Sequence, residues 1–88
     1  MTSAYRVSFS SEAQRSLARL PEKVALAIAE FIVGPLAGDP LRLSKPLRNE
    51  LSGSRPARRG DYRVLFDVDQ EKHVILVIRI AHRADVYR

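Results

Sequence analysis

Hydrophobic and polar positions alternate at both ends of this chain and change to a helical spacing between them. Tyr5, Val7 and Phe9 alternate with Arg6, Ser8 and Ser10, the period-two pattern of a strand with one buried face. Ser11, followed three residues later by Gln14, matches a capping box, in which two side chains satisfy the free donors at a helix start. Ala13, Leu17 and Leu20 then recur along one side of a short amphipathic helix. Pro21 suits the first turn of a second helix, where its missing N–H is not needed. Val24, Ile28, Phe31 and Ile32 form the apolar stripe of that helix, and Gly34-Pro35 marks the start of its end. So tight a joint between two helices predicts an αα-hairpin.

Residues 36–54 are punctuated by Gly, Pro and Asp and read as a long, partly ordered connection. Residues 54–59 follow as a poor strand, confined to an edge by Pro56. In "YRVLFDVD" Tyr62, Val64, Phe66 and Val68 face one way and Arg63, Leu65 and Asp67 the other. "HVILVIRIAH" is apolar on both parities, as in a central strand covered on both faces, and "DQEK" between the two reads as a hairpin turn. The order is β-α-α-β-β-β. The expected fold class is α+β, one small domain over residues 1–88 with a mainly antiparallel sheet and the αα-hairpin on one face. If the helices cover Val64 and Phe66, Arg63 emerges on the open face. Arg79 and Arg83 share a parity with Ile75 and Val77, opposite to Val74, Leu76 and Ile78, and are expected on that open face too. Arg59 joins them if the chain stays extended as far as Arg63.

Composition narrows the partner. The chain has 88 residues, no cysteine and 45% hydrophobic content, which excludes disulfides, thiolate nucleophiles and zinc–cysteine sites and argues against disorder. The N-terminal residues lack the apolar core of a signal peptide, and no apolar run approaches the ~20 residues of a membrane span. A soluble, cytoplasmic protein without membrane contact is expected. The net charge of +5 is segregated: Arg42, Lys45, Arg48, Arg55, Arg58, Arg59 and Arg63 face only Glu50 and Asp61 across residues 42–63. A localised field of arginines suits a polyanion, whose phosphates they bind bidentately, although a solvated basic surface would carry the same charge.

Several candidates have plainer readings. Arg63 could pair with Asp61 or Asp67, and Tyr87 could pack as an edge aromatic. His73 sits in the hairpin region and reads as structural or solvent-facing. It makes no metal site with His82, because neither carboxylate nor third histidine stands at ligand spacing. "RGD" at 59–61 leads straight into a strand and is discounted as an adhesion motif.

Three segments carry a resemblance over essentially the whole chain: "KPLRNELSGS" (45–54), "ARRGDYRVLF" (57–66) and "IRIAHRADVYR" (78–88). With the element order, they resemble the RelE branch of the RelE/ParE superfamily of bacterial toxins. The resemblance implies a toxin of a type II toxin–antitoxin pair, an endoribonuclease that enters the A site of the 70S ribosome and cuts mRNA there. It implies no metal and no cofactor, with the ribose 2′-OH attacking the adjacent phosphate, and a cognate RelB-like antitoxin as partner. Carried over by position, Arg63 stabilises the phosphorane, Arg83 stands near the leaving group, and Tyr87 stacks on a base or handles a proton. Lys45, Arg48, Arg55, Arg58 and Arg59 are the expected RNA-binding residues. Family members place lysines on the strand before the "YR" arginine, one of them proposed as general base. This chain has Arg55, Pro56, Arg58 and Arg59 there. Arginine holds its proton too tightly to act as a base, which leaves His82, Tyr87 or water as acceptor. Two alternatives stay open: a ParE-like inhibitor of DNA gyrase, and an RNA-binding module whose catalytic site has decayed.

Overall fold

The computed structural model describes residues 4–44 and 54–82, and in it the two helices lie on one face of a four-stranded sheet. The elements are β1 (Arg6–Phe9), α1 (Ser11–Arg19), α2 (Glu22–Phe31), β2 (Arg55–Arg59), β3 (Tyr62–Asp69) and β4 (Val74–His82). Their order in the sheet is β1-β4-β3-β2, with β1 parallel to β4 and the other pairs antiparallel. The expected α+β architecture is therefore present as a mixed sheet.

The core lies between this sheet and the helices. Val64, Phe66, Ile75 and Val77 are fully buried, as are Ala13, Ile32 and Leu36, and Val7, Phe9 and Leu17 pack against them. The alternation of β3 predicts these faces correctly. On β4 it does not. Ile75 and Val77, assigned to the open face with the arginines, are buried on the helix side, whereas Leu76 is 39% exposed. Nor do the described residues cover the open face of β4.

A β-bulge explains both how β4 changes face and why its alternation misleads. Leu65 pairs with Arg79 but Phe66 with Val77, so Ile78 is an extra residue on β4. One extra residue inverts the side-chain parity beyond it. Ile75 and Val77 point to the core before the bulge and Ile80 after it, and Arg79 emerges on the open face. In a run apolar on both parities, an extra residue leaves no trace in the sequence pattern.

Ser10, rather than Ser11, caps α1, accepting from the Ala13 N–H at 3.0 Å. The Gln14 side chain donates to the Phe9 carbonyl instead of closing a capping box. The Ser10 hydroxyl also donates to the carbonyl of the bulged Ile78 at 2.7 Å, joining helix start and bulge. Ser10→Ala removes the cap and leaves that carbonyl without its donor. It should cost about 1–3 kcal/mol, read as a lower urea midpoint with unchanged slope.

α2 does not stop at Gly34-Pro35. It continues as one π turn, Ile32–Leu36, with Pro35 inside it, and residues 37–38 remain helical. Proline cannot donate in the helical ladder, and a local widening of the helix accommodates it. Burial of Ile32, Leu36 and Ala37 holds this stretch against the core. No helix among the described residues is long and apolar enough to cross a membrane.

Candidate anion-binding groove

β2 and β3 are joined by the two-residue turn Gly60-Asp61. Gly60 has φ +60° while Asp61 is not in the positive region, as in a II′ hairpin turn, where glycine takes the first central position. The turn sets which arginines share a face. It pairs Arg59 with Tyr62 and Arg58 with Arg63. The chain is thus not extended from Arg59 to Arg63, and the two lie on opposite faces. Arg59 lies on the helix side, in a depression shared with Ala27, Glu30 and Phe31. Arg58 takes its place beside Arg63 on the open face.

Arg58 and Arg63 are direct cross-strand neighbours, a placement that costs stability because like charges oppose each other there. They line a groove of about 560 Å³ together with Arg42, from the turn that follows α2. Ser44, Pro56 and Ala57 complete much of its wall, and no carboxylate is among the described residues that line it. Three arginines thus line one open concavity, and guanidinium groups are suited to bidentate contact with phosphate oxygens.

Arg42 was not among the candidates. Its only sequence signal is membership of the basic stretch, and nothing local to it predicts that the turn folds back against β2. Arg55, expected at the RNA, bonds to Ser44 of the groove wall. Its Nε donates to Ser44 Oγ at 2.8 Å and its terminal nitrogen to the Ser44 carbonyl at 3.4 Å. Lys45, Arg48, Arg83 and Tyr87 lie outside the described residues.

His82 is separated from the arginine groove. It pairs with Tyr62 across the strands, on the helix-covered side with Val64 and Ile80. The two rings meet edge to face, centroids 5.1 Å apart. Arg79 is on the open face but at the other edge, its Nε 3.6 Å from Glu12 of α1, an exposed pair worth roughly 0–1 kcal/mol. His73 is structural: its ring stacks on Tyr5 at 3.7 Å. Among the described residues no group of three His, Cys, Asp or Glu side chains is gathered that could hold a metal ion.

The chain has relatives with both sequence and structure in common. The family model described as "ParE toxin of type II toxin-antitoxin system, parDE" matches residues 7–87. Toxin RelE of Mycobacterium tuberculosis is 51% identical over 84 residues, spanning 96% of this chain and 87% of that protein. Toxin RelG of the same organism is 46% identical over 84 residues, spanning 96% and 97%. Among solved structures, the M. tuberculosis toxin–antitoxin complex RelBE2 contains a chain that superposes with a TM-score of 0.86 at 43% identity, covering 92% of this chain and all of that one. The intact Escherichia coli RelBE complex matches with a TM-score of 0.72 at 23% identity, over 90% of this chain and 96% of that one, a likeness of fold.

Proposed function

Because the chain belongs to the RelE/ParE family of toxins of type II toxin–antitoxin systems, we propose that it is a ribosome-dependent endoribonuclease whose site is the groove lined by Arg42, Arg58 and Arg63. The observation that carries this reading is the convergence of Arg42, Arg58 and Arg63 on one concavity. The reaction is attack of a ribose 2′-OH on the adjacent phosphorus. The new P–O2′ bond replaces the P–O5′ bond, one proton leaves the 2′-oxygen and another reaches the 5′-oxygen. The ends are a 2′,3′-cyclic phosphate and a 5′-hydroxyl.

Negative charge grows on the phosphoryl oxygens as the bond forms, and preorganised donors aimed at them lower the barrier by about 3–4 kcal/mol each. Arg63 is the donor best set for this, half-buried and fixed on a paired strand. Arg58 and Arg42 hold the flanking phosphates. Arg83 and Tyr87 are assigned by resemblance to the leaving group and to a base or proton. In-line geometry is supplied by the ribosome, which holds the codon still. Such orientation is worth roughly 7–11 kcal/mol in favourable cases. A sparse site without a dedicated base suffices under these conditions.

His82 takes no part in this scheme, since it faces the helices beside Tyr62. His82→Gln should change the cleavage rate by less than about three-fold in single-turnover assays, whereas loss of a general base typically costs 10²–10⁴-fold. A loss on the latter scale would make His82 the proton acceptor.

The cognate partner is a RelB-like antitoxin. A second reading, inhibition of DNA gyrase, is favoured by the ParE description of the matching family model. Expression of the chain alone in bacteria tests both. Growth arrest with codon-phased mRNA cuts, relieved by the antitoxin, is expected. DNA breaks with an SOS response would support the gyrase reading, and normal growth at confirmed soluble expression would exclude an active toxin.

A further inference from the structure

Resting on the RNA reading of the groove, we propose that the Pro40–Ser44 turn is an arm of the binding site, that Arg42 is its phosphate contact, and that Arg55 is a positioning residue that holds the arm through Ser44.

The hydrogen bonds around Ser44 leave it little freedom. Its hydroxyl donates to the Pro40 carbonyl at 2.6 Å and accepts from Arg55 Nε at 2.8 Å. The second Arg55 contact, to the Ser44 carbonyl, fixes the backbone of the same residue. Ser44 is only 8% exposed, and Pro40 is fully buried. Both ends of the turn are therefore anchored, while Arg42 between them is exposed and faces the groove. Arg55 lies on β2, opposite Phe66 and so on the helix side of the strand, three residues before Arg58. It connects the turn to the strand that carries Arg58, which sets the spacing of the two guanidinium groups across the groove. A charge on a loose turn loses more freedom on binding than one already held in place.

A charge-preserving variant separates this from a direct role for Arg55. Ser44→Ala removes no cation, yet it deletes the acceptor of Arg55 and the bond to Pro40. The probe is a labelled ten-nucleotide single-stranded RNA, titrated against the full chain over a series of salt concentrations. Each phosphate contact contributes about 0.7 to the slope of log affinity against log salt, or roughly five-fold in affinity at 0.1 M salt. Arg42→Ala should lower the slope by about that amount. Ser44→Ala and Arg55→Met should do the same, and neither should weaken binding further once Arg42 is alanine. Faster amide exchange at residues 41–44 in Ser44→Ala, larger than any increase at core amides such as those of Val64 and Phe66, should accompany the loss.

Wild-type affinity in Ser44→Ala, or full additivity of Arg55→Met with Arg42→Ala, overturns the positioning role and returns Arg55 to direct contact. Wild-type affinity in both Arg58→Ala and Arg63→Ala overturns instead the RNA reading of the groove. The exchange measurement is independent of any ligand and still decides whether Ser44 anchors the turn.

Discussion

Replacing Arg63 with alanine should slow mRNA cleavage on programmed ribosomes by about 10²–10³-fold, the usual cost of removing one preorganised donor from a developing oxyanion. The same change should leave the fold in place. Arg63 is on the open face of β3, across from Ala81 and Arg58 rather than against the helices. Removing it also relieves a like-charge cross-strand pair, an effect of about 0.2–1 kcal/mol. The unfolding free energy should therefore move by less than about 1 kcal/mol. A toxin that loses activity with an unchanged denaturation midpoint separates site from scaffold. Collapse of the fold in Arg63→Ala would mean that its side chain serves the core.

Phe66→Ala should have the opposite profile. Phe66 is among the largest fully buried side chains, three residues along β3 from Arg63 and on the other face. Truncating a buried phenylalanine typically costs 3–5 kcal/mol. A folded chain of 88 residues holds roughly 4–13 kcal/mol in total, at about 0.05–0.15 kcal/mol per residue. The variant should thus lose a large part of its stability, and lose toxicity because less of it is folded. Circular dichroism melts should show a much lower midpoint, and a ligand that binds the native state should restore part of it. Near wild-type melting would mean that Phe66 is not the centre of the core.

These two residues show what the sequence pattern makes legible. Strict alternation over Tyr62–Asp69 locates β3 and its two faces, because a half-buried strand leaves a period-two record. Arg63 is read correctly on the same ground. Where one residue is inserted or a turn intervenes, the record breaks. The bulge at Ile78 turns Ile75 and Val77 inward, contrary to their parity with Arg79. The Gly60-Asp61 turn exchanges Arg58 for Arg59 on the open face. Both features are one-residue offsets settled by pairing with a neighbouring strand, and the bulge is further tied to Ser10, 68 positions away.

The basic field is legible as a field but not as a site. Of its seven cations, the structure describes Arg42, Arg55, Arg58, Arg59 and Arg63. They divide by role: three line the groove, one binds the Ser44 turn and one lies over α2. Composition cannot make that division, because it depends on which way each strand residue points and on how a distant turn folds back.

The groove lined by Arg42, Arg58 and Arg63 is the proposed cleavage site of a ribosome-dependent endoribonuclease. The most direct measurement is mapping of RNA ends after the purified chain is added to 70S ribosomes halted on a defined mRNA. Cuts confined to the A-site codon are expected, with 2′,3′-cyclic phosphate ends, slowed about 10²–10³-fold in Arg63→Ala and absent from the same mRNA without ribosomes. Intact mRNA with wild-type chain bound at the ribosome, or cuts that persist undiminished in Arg63→Ala, would contradict this assignment.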